Sequence, residues 1–270
     1  MSVMESKVVF IGAGNMAEAI VSGMVAAGFC EPDKIIMTDI RPERLDDLGA
    51  QYGVSVSVDN RVVRNAEIVL LAVKPQVLNE VLKGIARDLR EETLVISIVA
   101  GIPTSKIETL LGGRRRVIRV MPNTPALIGM GASALAAGIN ATEADLEVTE
   151  SILGCVGITA RVEEKDIDAV TALSGSGPAY VFYLLEAMLA AAERMGLDRK
   201  TARQLALQTV EGSARLMADS GEEAADLRAK VTSKGGTTEA AVRSLDKAGV
   251  RDAIIQALLA AQKRSIELSQ

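Results

Sequence analysis

Four hydroxyl side chains, Thr232, Ser233, Thr237 and Thr238, flank the glycine pair Gly235 and Gly236 in the segment VTSKGGTTEAAV. A polar, glycine-kinked loop that opens a helix presents free backbone N–H groups and a positive helix end, which suits an anion. The segment SGSGPAY, Ser174 to Tyr180, is a second hydroxyl-bearing loop, with Pro178 at the favoured first position of a helix. Near the start of the chain, GAGNMA sets Gly12, Gly14 and Ala17 in GxGxxA spacing. There Gly12 permits a tight turn, Gly14 lets the backbone approach a pyrophosphate, and Ala17 permits close packing of helix on strand. The motif follows one apolar run, opens a helical one and leads to another strand, which is the context of dinucleotide binding. One pyrophosphate needs one cradle, so the loop at 231–238 must hold something else.

Other residues fall where a dinucleotide would lie. The second strand ends at Thr38, followed by Asp39 and Arg41. An acid there takes the ribose hydroxyls of NAD, and an arginine receives the extra phosphate of NADP, so the two residues pull in opposite directions. AVKPQ places Ala72, Val73, Lys74 and Pro75 at the carboxyl end of a central strand, and MPNTP places Asn123 at the end of another. With Gly12, Gly14, Asn15 and Met16, these are the candidate cofactor contacts. Lys74 is open to three roles: proton donor, cover for the cofactor, or a solvated charge.

The chain of 270 residues contains no histidine, which removes Ser-His-Asp and Cys-His nucleophile systems. Acid–base work is left to Lys, Tyr, Glu, Asp, Cys, a hydroxyl or water. Cys30 and Cys155 form no CxxC pair and no metal-ligand spacing, so no metal is expected and the thiols read as free in a reducing compartment. The formal charge of −5 argues against a nucleic-acid binder. The one basic run, Arg114 to Arg116, reads as a solvated loop. The uncharged stretch Met121 to Thr142 holds prolines, glycines and asparagines, so it is a poor membrane helix. The opening residues MSVMESKVVF lack a leader pattern. A cytoplasmic protein with no membrane partner is the expectation.

The periodicities predict strands in KVVFIGAG, KIIMTD, AEIVLLAV, TLVISIVAG and RVIRVMP, alternating with helices, with ASALAAG and TARVE extending the sheet. Such alternation implies a parallel, doubly wound α/β sheet. From Asp166 onward every apolar run has helical period. The boundary is placed at 162/163: a Rossmann-like dinucleotide-binding domain over 1–162, and an all-α domain over 163–270 that carries the second cradle. The helix PAYVFYLLEAMLAAAERMG is apolar on nearly all sides and calls for burial against another subunit.

Taken together, GAGNMAEAI, AVKPQ, MPNTPALIGMG, LSGSGPAY and VTSKGGTTEAAV, in this order, resemble the pyrroline-5-carboxylate reductase family over essentially the whole chain. The last motif is the most specific of them. The resemblance implies reduction of the cyclic imine Δ1-pyrroline-5-carboxylate to L-proline, the last step of proline biosynthesis, with NADPH and possible use of NADH. It implies that Ser233, Gly236 and Thr237 bind the substrate carboxylate and that Thr238 hydrogen-bonds the ring nitrogen as the catalytic residue. It also implies a homodimer or an oligomer of dimers. Two rivals remain at this point. A β-hydroxyacid dehydrogenase would carry GxGxxxK, but Val181 stands where its lysine belongs. A non-catalytic dinucleotide sensor would leave the second cradle without a purpose.

Overall fold

Short apolar runs build one eight-stranded sheet. Its strands are β1 (Val8–Ile11), β2 (Ile35–Thr38), β3 (Ser55–Ser57), β4 (Ile68–Leu71), β5 (Leu94–Ser97), β6 (Arg116–Met121), β7 (Gly131–Ala137) and β8 (Gly157–Arg161). The spatial order is β3-β2-β1-β4-β5-β6-β7-β8, so the chain reverses direction across the sheet at β1 and β4. The computed structural model describes residues 6–269; residues 1–5, which open the segment read above for a leader, and residue 270 lie outside the described residues.

Helices α1 (Asn15–Ala26), α2 (Pro42–Tyr52) and α5 (Glu143–Gly154) cover one face, and α3 (Pro75–Ile85) and α4 (Thr104–Leu110) cover the other. Alternation along a strand dictates this split. Val8 and Phe10 of β1 enter the core with Ile20, Leu48 and Ile152, while Val9 and Ile11 enter the core with Leu78, Leu82 and Ile107. β4 is held from both sides in the same way, by Leu70 and Leu71. Each such side chain contributes about 1.5–3 kcal/mol by burial.

Two features differ from the expectation drawn from the sequence. β7 runs antiparallel to β6, whereas every other neighbouring pair is parallel. The connection over 122–130 is shorter than the roughly dozen residues a parallel crossover requires, so the chain must turn back. β3 was not expected, because SVS is a short, mostly exposed edge strand with no apolar alternation to betray it. The basic run is also corrected. Arg116 is the first residue of β6 and pairs with Asp145 at 2.8 Å, and Arg115 donates to the Leu89 carbonyl at 2.9 Å. Arg116 thus ties β6 to α5, and Arg115 ties its loop to the segment after α3, rather than both standing in solvent.

After β8 come α6 (Ile167–Val170), a π-helical turn over Thr171–Gly175, then α7 (Gly177–Arg194), α8 (Arg199–Ser220), α9 (Ala224–Lys230), α10 (Thr237–Lys247) and α11 (Val250–Ser269). Two compact units divide the chain, one with residues up to Ser176 and from Ala261 onward, the other Gly177–Ala260. Within the first, Ser265 of α11 donates to the Asp168 carboxylate of α6 at 2.6 Å. The second unit is entirely helical. It buries little beyond Ala192, Ala202 and Ala206, and it leaves Phe182 at 60% and Tyr183 at 76% exposure.

The start of the β7–β8 ladder is a glycine pair, Gly131 opposite Gly157. Gly157 sits at φ +150°, and a Cβ there would fall within 2.6 Å of the Gly131 carbonyl carbon. Gly157→Ala should therefore part the two strands and cost about 2–4 kcal/mol. Denaturant unfolding of the variant checks this; a loss under about 1 kcal/mol would show that the ladder relaxes freely.

Candidate functional site

The first cradle is a tight junction of three strand ends. Gly12, at φ +99°, donates its N–H to the Thr38 carbonyl at 2.8 Å, and Ala72 donates to the Ile11 carbonyl at 2.8 Å. A Cβ on Gly12 would lie 2.5 Å from the Ala72 carbonyl oxygen and 3.1 Å from a Val73 methyl. Gly12, Ala72 and Val73 are thus brought together. Gly14 is the N-cap of α1, whose first turn has no side-chain cap, and the space around a Gly14 Cβ is open. Asn15 is exposed and Met16 half-buried in that first turn. Uncapped N–H groups, a positive helix end and open space above them fit a dinucleotide pyrophosphate.

The peptide between the two glycines is clamped by side chains. Ala13 donates its N–H to Asp39 Oδ2 at 2.9 Å, and its carbonyl accepts from Arg44 Nε at 3.1 Å. Arg44 also pairs with Glu18, which in turn accepts from the Tyr52 hydroxyl at 3.1 Å. Sequence reasoning missed Arg44, because its partner Ala13 is remote in the chain and no local spacing links them. Asp39 and Arg41 are paired with each other: Arg41 Nε reaches Oδ1 at 2.9 Å and Nη2 reaches Oδ2 at 3.1 Å. The guanidinium, with the Ala13 and Arg41 N–H groups, holds the Asp39 carboxyl at a pKa of about 2.

Lys74 is the exposed N-cap of α3 and makes no ion pair among the described residues; Pro75 follows it at the first helical position. Pro75 and Gln76 line a cavity of about 600 Å³ together with Gly101, Thr171 and Ser176. Asn123 performs a second clamp. Its Oδ1 accepts the Ala132 N–H at 2.8 Å and its Nδ2 donates to the Ser174 carbonyl at 3.1 Å. MPNTP, the start of β7 and the π turn of LSGSG are therefore locked through one amide. The π turn is closed by Ser176 N–H to the Thr171 carbonyl at 2.8 Å. Such turns concentrate at functional positions.

Ser233, Gly236, Thr237 and Thr238 lie in the helical unit, where Gly236 is the N-cap of α10. No side chain caps this helix, so its first-turn N–H groups stand beside the Thr237 and Thr238 hydroxyls. The turn itself is tight: Gly236 donates to the Ser233 carbonyl at 3.0 Å, and a Cβ on Gly236 would lie 2.5 Å from Ser233 Oγ. Glu239, which the motif reading passed over, accepts the Gly235 N–H at 2.6 Å and braces the loop from within the helix. Ser233 and Thr237 are exposed and Thr238 is half-buried.

The two cysteines are free, and burial pushes both thiols up, so they remain neutral at physiological pH. Among the described residues no cluster of acidic or cysteine side chains is placed to hold a metal ion, and no helix is long and apolar enough to cross a membrane. The Asn123 clamp carries its own expectation. Asn123→Asp replaces the donor facing Ser174 with a second acceptor, which should cost about 1–3 kcal/mol in stability. Thermal unfolding checks it; a variant with an unchanged midpoint would mean that the amide clamp contributes nothing.

Comparison with known proteins places these features in one family. Residues 164–268 match the family model described as pyrroline-5-carboxylate reductase dimerisation, and residues 7–101 match one described as NADP oxidoreductase coenzyme F420-dependent. A pyrroline-5-carboxylate reductase of Methanosarcina acetivorans is 44% identical over 265 residues, covering 98% of each chain. The solved structure of a pyrroline-5-carboxylate reductase from Coxiella burnetii superposes with a TM-score of 0.93 at 41% identity, over 98% of this chain and 99% of that one. That of Plasmodium falciparum pyrroline carboxylate reductase, with NADP bound, superposes with a TM-score of 0.90 at 29% identity, over 99% of this chain and all of that one. The match runs through both the glycine cradle and the helical unit, and this chain belongs to the pyrroline-5-carboxylate reductase family.

Proposed function

We propose that this chain reduces Δ1-pyrroline-5-carboxylate to L-proline, the last step of proline biosynthesis, with NADPH as the preferred cofactor and NADH accepted. The observation that carries the reading is the pair of uncapped helix starts, α1 behind Gly14 and α10 behind Gly236, in a chain related end to end to reductases of this name. One cradle suits a pyrophosphate and the other suits a small carboxylate. Support for NADPH comes from the NADP-bound relative and from the NADP oxidoreductase match over 7–101.

In this mechanism Gly12, Gly14, Asn15 and Met16 hold the pyrophosphate, and Ala72, Val73, Lys74, Pro75 and Asn123 line the remainder of the cofactor path. The bound dinucleotide supplies the hydride. Ser233, Gly236 and Thr237 hold the substrate carboxylate through hydroxyl and backbone N–H groups. The Thr238 hydroxyl hydrogen-bonds the ring nitrogen and so orients the C=N bond. A protonated imine is already a good hydride acceptor, so the chain needs no histidine to supply a proton. Its task is positioning. The domain division proposed is a dinucleotide-binding part over 1–162 and a helical substrate and dimerisation part over 163–270. Free thiols at Cys30 and Cys155 support a cytoplasmic setting.

Two outcomes test the reading. Wild-type protein should oxidise NADPH on addition of Δ1-pyrroline-5-carboxylate, and Thr238→Ala should lower kcat/KM by roughly tenfold to a hundredfold, about 1–3 kcal/mol. Thr238→Ser should restore most of it, with NADPH affinity unchanged throughout. Near-full activity in Thr238→Ala removes that residue from the mechanism, and no turnover by wild type removes the reaction.

Assembly supplies a further test. The helical segment matched as a dimerisation family makes the protein a homo-oligomer. We propose a dimer, or a ring of dimers, formed over the apolar surface that includes Phe182, Tyr183, Ile254 and Leu259, each more than half exposed in the single chain. Sedimentation at micromolar concentration should return at least a dimer, and Tyr183→Glu should weaken it. A monomer at that concentration contradicts the proposal.

A further inference from the structure

The turn from β2 into α2 consists of Asp39, Ile40 and Arg41, with Pro42 opening the helix. In dinucleotide folds an acid at this place accepts a hydrogen bond from the ribose 2′-hydroxyl, and an arginine nearby accommodates a 2′-phosphate. Here the acid is already fully engaged. Asp39 Oδ1 accepts the Arg41 N–H at 3.1 Å and Arg41 Nε at 2.9 Å. Its Oδ2 accepts the Ala13 N–H at 2.9 Å and Arg41 Nη2 at 3.1 Å. Two carboxylate oxygens offer about four lone-pair positions, and four donors fill them. The Asp39 side chain is only 10% exposed, whereas Arg41 is 58% exposed. Between them Ile40 stands 93% exposed, an apolar side chain presented to whatever lies over this turn.

We infer that Asp39 is the specificity-determining residue for the cofactor, acting as the anion that restrains Arg41 rather than as the acceptor for a ribose hydroxyl. This rests on the dinucleotide reading given above. A 2′-hydroxyl finds no vacant acceptor on Asp39, so it gains little there. A 2′-phosphate gains the Arg41 guanidinium but must share it with Asp39 and approach a second anion. Because Asp39 remains ionised through the whole working range of pH, that opposition is permanent. The restraint lowers the advantage of NADPH without removing it, and leaves a chain that accepts both cofactors.

Asp39→Asn is the informative change. The amide keeps an oxygen for the Ala13 N–H, so the glycine turn stays braced, while the charge that holds Arg41 is lost. Dissociation constants for NADPH and NADH are measured by calorimetry on the wild type, Asp39→Asn, Arg41→Ala and the double variant, with thermal midpoints as a check on folding. Asp39→Asn should raise the preference for NADPH over NADH by about three- to tenfold, the size of one partly solvated charge interaction. Arg41→Ala should lower that preference, and most of the gain from Asp39→Asn should vanish in the double variant. If Asp39→Asn does not fold, Asp39→Ser removes the same charge with a shorter side chain, and its NADPH-to-NADH ratio, rather than either affinity alone, is then read. A ratio that stays fixed, moves toward NADH, or hides an equal weakening of both cofactors overturns the inference and leaves Asp39 as a brace alone. Wild-type protein that binds neither dinucleotide overturns the dinucleotide reading and this inference with it.

Discussion

The close approach of the β1–α1 turn to the end of β4 is the constraint on which the rest depends. Gly12 has no room for a side chain because the Ala72 carbonyl stands where its Cβ would be. The same residue reaches sideways to Thr38 at the end of β2. Three strand ends therefore meet at one backbone position, where the chain order of the sheet reverses. A ligand at such a point touches loops from both halves of the sheet. The Thr38 hydroxyl, bonded to Asn60 at 2.6 Å, anchors the far side of this junction. The Ala13 peptide, gripped by Asp39 and Arg44, then sets the angle at which α1 leaves the turn. A cradle formed by backbone N–H groups works only if the backbone does not move, and these side chains supply that rigidity.

Elements with a strong period were legible in the sequence. The runs around Phe10, Leu70 and Ile96 marked strands, and the helical period between them marked the helices that alternate with those strands. The direction of β7 was not legible, because direction depends on the length and course of the loop at 122–130 rather than on the strand residues. β3 escaped because an exposed three-residue edge strand owes its existence to the Ile36 to Thr38 ladder beside it, not to its own side chains. Arg115 and Arg116 read as solvated because charge composition alone does not reveal that Leu89 and Asp145 lie within reach.

The candidate site was legible where it is made of backbone and obscure where it is made of partners distant in sequence. Glycine spacing announces a turn that needs room, so Gly12 and Gly236 could be singled out. Asn123 was noticed for its position at a strand end, but its grip on Ser174 and Ala132 spans elements that only the fold brings together. Asp39 and Arg41 were visible as opposed signals, and the sequence left the opposition open. Geometry turns the two signals into one unit, since Arg41 is held by Asp39 through two guanidinium contacts.

The absence of histidine fits this economy. Reduction of a carbonyl to an alcohol leaves an oxyanion that must be protonated in the site, which is why a lysine acid is expected in a β-hydroxyacid dehydrogenase. A cyclic imine carries its own basic nitrogen, and a protonated imine becomes a neutral amine on accepting hydride. No charge of unfamiliar kind has to be stabilised beyond the carboxylate, which is present before and after the reaction. A helix start with hydroxyl side chains suits such a constant charge. Val181, apolar where a lysine acid would stand, is then no defect. On the proposed reading the chemistry asks the chain to bind two anionic ligands and to orient one nitrogen, the tasks assigned above to α1, α10 and Thr238.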